Sequence, residues 1–138
     1  MNNQAQYVLA HETPGIEEYR QLRVDAGLSP RSAAAASRGL PNTLFAATLR
    51  YRGELVAMAR VVGDGGCNFE IVDMAVHPDH QRRGHGTRIM AAVMQFITAN
   101  AEPSAYVSLI ADDHSPKLYR KFGFEPVAPR SIGMARRI

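Results

Sequence analysis

A chain of 138 residues with 46% hydrophobic residues has the size of one compact domain and can bury an ordinary core, which excludes a disordered segment. The net charge of +3 is modest and collects in two places, the loop with Arg82, Arg83 and Arg88 and the tail "APRSIGMARRI", a distribution that favours a local anion site over a nucleic-acid footprint. A single cysteine, Cys67, without a CxxC neighbour excludes a disulfide framework and a cysteine-based zinc site.

No repeat, low-complexity tract or long linker divides the chain, so residues 1–138 read as one domain. "MNNQAQYVLAHE" lacks the pattern of a secretory signal, and no apolar run is long enough to span a membrane; with the lone cysteine, this places the expected site of action in the cytoplasm. "YVLAH" reads as a first strand. "TPGIEEYRQLRVDAGL" reads as a helix, with Thr13 and Pro14 as start signals, an apolar stripe of Ile16, Tyr19, Leu22 and Ala26, and Gly27 as the stop. "LSPRSAAAASRGLP" predicts a short helix with Ser29 as N-cap and Pro30 in the first turn, closed by Gly39 and Pro41. Two strand-like runs around Arg52-Gly53 predict a hairpin. "CNFEIVDMAVHP" predicts a further strand, apolar enough at its centre to be buried on both faces. A helix from about Gly84 to Thr98, the strand "AYVSLIA", the short helix "SPKLYRKFGF" and a last, weakly alternating strand in the tail complete the order. The fold class is α/β, a mixed sheet with helices packed on it.

The stretch "VDMAVHPDHQRRGHGTRIMAAVMQFI" carries the chemistry. A strand that passes through a glycine-containing loop straight into a helix leaves backbone N–H groups without intrahelical acceptors, and the helix dipole adds positive charge there. Gly84 and Gly86 lack the β-carbons that would hold an anion away from the main chain, and Arg82, Arg83 and Arg88 supply charge, so a pyrophosphate is a suitable guest. A tight strand-to-helix turn with solvated arginines has the same local pattern. Neither common nucleotide motif fits, because no lysine follows a GxxxxG and Ile89 stands where GxGxxG needs its third glycine.

The segment Gln81-Arg82-Arg83-Gly84-His85-Gly86 matches Q/R-x-x-G-x-G/A, and "LYRKFGFEP", Leu118 to Pro126, matches LYxKxGF downstream of a strand. On these two motifs and the order of elements, the chain resembles the GNAT superfamily of acyl-CoA N-acyltransferases. The resemblance implies a mostly antiparallel sheet flanked by about four helices, whose central strands splay to form the acetyl-CoA cleft. It implies coenzyme contacts from Met74, Ala75 and Val76 on the strand, from Gln81, Arg82, Arg83, Gly84, His85, Gly86 and Thr87 in the loop, and from Asp112 and Tyr119 farther on. Asp112 replaces a commoner asparagine, and Ser115-Pro116 a commoner alanine region. Tyr119 takes the general-acid or thiolate-orienting position; Leu118 and Phe122, four apart, are read as the apolar pair of that helix.

Acyl transfer needs a neutral amine, so a carboxylate should help remove the ammonium proton. Glu70 and Asp73 are the candidates. A spacing of three puts them on opposite strand faces, and only one lines the site unless a bulge intervenes. For either, pairing with an arginine is the structural alternative. His77, His80, His85 and His114 lack the helical spacing and carboxylate partners of a zinc site, so no metal is expected. The expected activity is acetyl-CoA-dependent N-acetylation of a small-molecule or peptide amine, with a non-catalytic acyl-CoA-sensing module as the alternative. A basic nucleic-acid-binding domain is disfavoured for want of a recognition helix. The resemblance assigns acceptor choice to residues 17–40 and 128–134, which carry no readable motif. A homodimer through a sheet edge or the tail is allowed.

Overall fold

Arg52 and Gly53, both with positive φ (53° and 83°), make a two-residue turn that folds β2 (Phe45–Tyr51) back on β3 (Glu54–Gly63). The computed structural model describes residues 6–112 and 115–138. Around this hairpin lies one five-stranded sheet in the order β1-β2-β3-β4-β5, with β1 at Tyr7–Ala10, β4 at Asn68–Val76 and β5 at Tyr106–Leu109. Pairing is antiparallel up to β4, and β5 joins β4 in parallel. A parallel neighbour needs a long crossover, supplied here by the 16-residue helix α3 (His85–Asn100).

Strand alternation distributes the apolar residues to two faces. Leu49, Ala57, Ala59, Val61, Phe69 and Ile71 pack with Ile89, Met90, Val93 and Ile97 of α3 and with Tyr119 of the short helix α4 (Pro116–Arg120). Met58 and Ala75 point to the other face, under Tyr19 and Leu22 of α1 (Ile16–Asp25) and Ala36 of α2 (Ala33–Gly39). Among the described residues the result is an α/β sheet flanked by four α-helices. Among the described residues no helix is long and apolar enough to cross a membrane.

Three details differ from the sequence reading. The N-cap of α2 is Ser32, whose hydroxyl accepts from Ala35 N at 3.0 Å, because Ser29 is engaged elsewhere: its carbonyl and hydroxyl both accept from Arg23. β4 is buried on both faces only in its second half: Phe69 and Ile71 are covered on the α3 face, Ala75 is covered on the α1 face, and Glu70, near the strand's start on the α1 face, is exposed. The tail after α4 forms no strand among the described residues, and its apolar side chains Val127, Ile132 and Met134 stand exposed.

Candidate functional site

The site begins where two strands part. β4 pairs with β5 from Asn68↔Tyr106 to Ile71↔Leu109, and β5 then ends while β4 runs on to Val76. Just past this point β4 carries a bulge: Arg60 faces Val72 and Met58 faces Ala75, so Asp73 and Met74 share the place opposite Ala59. Asp73 takes a positive φ of 60° to accommodate the extra residue. His77 N donates to Val56 O of β3 at 2.8 Å, so alternation turns the amides of Val76 and Met74 the other way, toward the splay. Ala75 faces β3. Of the three expected strand contacts, Met74 and Val76 thus have their amides on the open side, and Gln81 Nε2 donates to the Val76 carbonyl at 3.0 Å.

Beyond Val76, a 3-10 turn at Pro78–His80 leads into α3. The first backbone bond of that helix runs from Arg88 N to Gly84 O at 3.1 Å, leaving the amides of His85, Gly86 and Thr87 ahead of it without intrahelical acceptors. Gly84, the N-cap, has φ 81°, and a β-carbon there would meet nothing within 4 Å, so conformation rather than crowding requires glycine. Gly86 differs: a β-carbon on it would lie 3.3 Å from Leu118 Cδ2, a tight contact that Leu118 could relieve only by shifting a few tenths of an ångström, so the missing side chain lets α4 lie close on α3. Leu118, half-buried, packs against the core as well as on the start of α3, and Tyr119, only 7% exposed, joins the same core. The half-buried Phe122 packs against the same core.

The loop arginines divide. Arg82 and Arg83 are exposed, and Arg83 donates to the Tyr7 hydroxyl at 3.3 Å, itself 2.8 Å from His80 Nδ1. His85 does not present its imidazole to the loop. It is 2% exposed, tilted against the Tyr7 ring at 4.2 Å, with neither ring nitrogen bonded among the described residues. Burial, then the charges of Arg88, His80 and Arg83, hold its pKa below the ordinary histidine value. Its side chain fills core, and only its main chain belongs to the helix start. Asp112 uses its carbonyl to accept from Ser115 N and Oγ at 3.0 and 2.9 Å, which sets the beginning of α4. Burial foremost raises the pKa of Tyr119, so the phenol keeps its proton at neutral pH.

The two carboxylates share a face because of the bulge. Glu70 lies opposite Val62 and Val72 opposite Arg60, and Arg60 stacks on Tyr19 of α1 at 5.5 Å, so Glu70 is on the α1 side of the sheet. Asp73 reaches the same side, accepting from Tyr19 OH at 3.1 Å, Arg60 Nε at 2.7 Å and Arg23 Nη1. Asp73 is enclosed, whereas no described side chain bonds the exposed Glu70 carboxylate. Sequence reasoning missed Arg23 and Arg60, both nearly buried; the only signal for Arg23 was its position four residues after Tyr19. His77 does have carboxylate neighbours, Asp25 and Asp79, each at 3.8 Å. Among the described residues no three His, Cys, Asp or Glu gather as metal ligands; His114 lies outside them.

Comparison with known proteins accords with this geometry. The model of an acetyltransferase (GNAT) domain matches residues 41–126, from just after α2 to just beyond α4. An uncharacterized N-acetyltransferase, ycf52, of Pyropia yezoensis is 28% identical over 122 residues, covering 86% of this chain and 69% of its own. A crystal structure from meticillin-resistant Staphylococcus aureus, titled a protein of unknown function and "Probable Acetyltransferase", superposes with a TM-score of 0.93 at 45% identity, covering 96% of this chain and 99% of that one. A GNAT family acetyltransferase from Streptococcus pneumoniae, 20% identical, shares the fold with a TM-score of 0.76 over 96% of this chain and 97% of its own. With its splayed β4–β5 pair, its glycine loop at the head of α3 and a family model spanning more than half its length, the chain belongs to the GNAT family of N-acetyltransferases.

Proposed function

We propose that this protein transfers an acetyl group from acetyl-CoA to a primary amine of a small molecule or peptide, by direct attack of the amine on the thioester. The observation that carries this reading is the parting of β4 from β5 immediately before the loop that opens α3. It leaves the amides of Met74 and Val76 directed into a gap that ends at a helix N-terminus, so an extended acyl-pantetheine arm and an anionic pyrophosphate are served by one continuous strand-loop-helix segment. The thioester supplies the electrophilic carbonyl.

Each residue has a separate task. The strand amides orient the carbonyl and donate to its oxygen as negative charge develops there. The free amides of His85, Gly86 and Thr87 hold the pyrophosphate, with Arg82, Arg83 and Arg88 around it. Glu70, exposed on the α1 face and bonded by no described side chain, accepts the proton of the ammonium through water, which makes the nitrogen lone pair available. As the new C–N bond forms and the C–S bond breaks, Tyr119, whose proton is retained at neutral pH, delivers it to the departing sulfur, while the second proton that the nitrogen sheds on becoming an amide passes to solvent, from which the phenolate is reprotonated. The reaction is assigned to the cytoplasm on the strength of the lone cysteine.

The test is acetyl-CoA turnover against a panel of small amines and peptides, followed by release of free thiol. Thiol release that depends on one or more amines supports the transferase. Acetyl-CoA binding without release across the whole panel would mean a sensing module instead.

A further inference from the structure

The β4 bulge that sets the direction of the Met74 and Val76 amides rests on Asp73, a residue in an unfavourable backbone conformation. A non-glycine residue with φ 60° inside a strand stays there only when its surroundings over-determine it. The surroundings here are a buried ionic cluster. Asp73 is 5% exposed at its side chain, Arg23 6% and Arg60 10%, and the two guanidinium groups grip separate carboxylate oxygens while the Tyr19 hydroxyl adds a third donor. The grips are themselves anchored. Arg23 Nε and Nη2 donate to the carbonyl and hydroxyl of Ser29 at 2.9 and 3.1 Å, and Arg60 Nη1 donates to Thr43 Oγ1 at 2.6 Å.

We infer that Asp73 is a positioning residue: clamped between Arg23 of α1 and Arg60 of β3, it fixes the bulge that aims the thioester-binding amides, and it ties that aim to the helix on the acceptor face. The inference rests on the acetyl-transfer reading for its catalytic part. It assigns Asp73 a role other than that of base, since both its oxygens are already taken by donors and an incoming ammonium would have to displace one. Replacing Asp73 by a neutral residue leaves two buried guanidinium groups facing each other without their counter-charge. The bulge then loses what holds it, while the pyrophosphate loop is untouched.

Asp73→Asn and Arg60→Lys test this, each compared with wild type by amide hydrogen exchange, acetyl-CoA calorimetry and pH–rate profiles. For Asp73→Asn, exchange at Ala75 and His77, whose amides face β3 beside the bulge, should quicken by about tenfold or more while the interior of α3 keeps its protection. The acetyl-CoA dissociation constant should stay within about twofold, and kcat should fall by about ten- to a hundredfold, the scale of a small misplacement of reacting groups. The pH–rate profile should keep its shape. Arg60→Lys, which retains the charge, should show the same pattern more weakly, and it decides the matter if Asp73→Asn does not fold. Unchanged exchange at Ala75 and His77 in the folded variants overturns the clamp; a rate loss relieved at high pH overturns it in favour of a base. If wild type acetylates nothing, the transfer reading fails, and exchange still decides the clamp.

Discussion

Two side chains carry the proposed chemistry, and they fail differently when changed. Tyr119→Phe keeps the buried ring and removes only the hydroxyl, so the core should hold while the departing sulfur loses its donor. We expect kcat to fall by about ten- to a thousandfold, with acetyl-CoA affinity by calorimetry nearly unchanged, because the hydroxyl acts on charge that exists only in the transition state. Glu70→Gln should cost most near neutral pH and progressively less as the pH rises toward the amine's own pKa, since free amine then needs no base; a pH–rate profile lowered equally at every pH would refute that role. Both were candidates on the strand and helix motifs they occupy, Glu70 alongside Asp73. The fate of Asp73 was not. Its spacing from Glu70 fixed opposite faces for a regular strand, and a bulge made by one extra residue leaves no periodic trace in a stretch as short as "EIVDMAV". Nor does an arginine on a helix announce that it is buried; Arg23 is so only because Asp73 and Ser29 meet it there.

Elements were easier to read than their ends. The hairpin at Arg52-Gly53 and the start of α3 at the glycine loop carry strong local signals, and the structure has both. The first turn of α2 was misread because Ser29, a good N-cap on local grounds, is drawn into a contact with Arg23 that no local rule contains. The two loop glycines were read as one device and are two. Gly84 serves a left-handed backbone, whereas Gly86 makes room for Leu118 and so sets how closely α4 lies on α3. This gives a prediction at the scale of the helix pair. Gly86→Ala should push Leu118 and with it Tyr119, lowering kcat by about tenfold while leaving an N-terminal amide at position 86 for the pyrophosphate. A second change, Leu118→Ala, should recover part of that loss; steady-state kinetics of the single and double variants would show no recovery if the glycine served only close approach of the phosphate.

For the molecule as a whole, the titrating groups define the pH range over which the fold is secure. Burial holds His85 and His80 below the ordinary value of 6.5, so the folded chain resists protonation that the unfolded chain accepts. The unfolded state therefore binds more protons as pH drops through 6.5, and stability should be full above that value and decline below it. Thermal melts at pH 7.5 and 5.5 should show this loss, and His85→Leu should shrink it. At the other end, burial raises Tyr19 and Tyr119, so stability should begin to fall once the pH exceeds 10, where unfolded tyrosines ionise. The sheet also divides the molecule into two territories. The glycine loop with α3 and α4 holds one side, α1 and α2 the other, and the family match begins at residue 41, after α2. On the proposed function, a lineage could therefore rewrite α1 and α2 to accept a new amine and leave the side with the glycine loop as inherited. On the role proposed for Asp73, that freedom stops at Tyr19 and Arg23: these two residues of α1 both donate to Asp73 and cannot drift without disturbing the strand amides beside it.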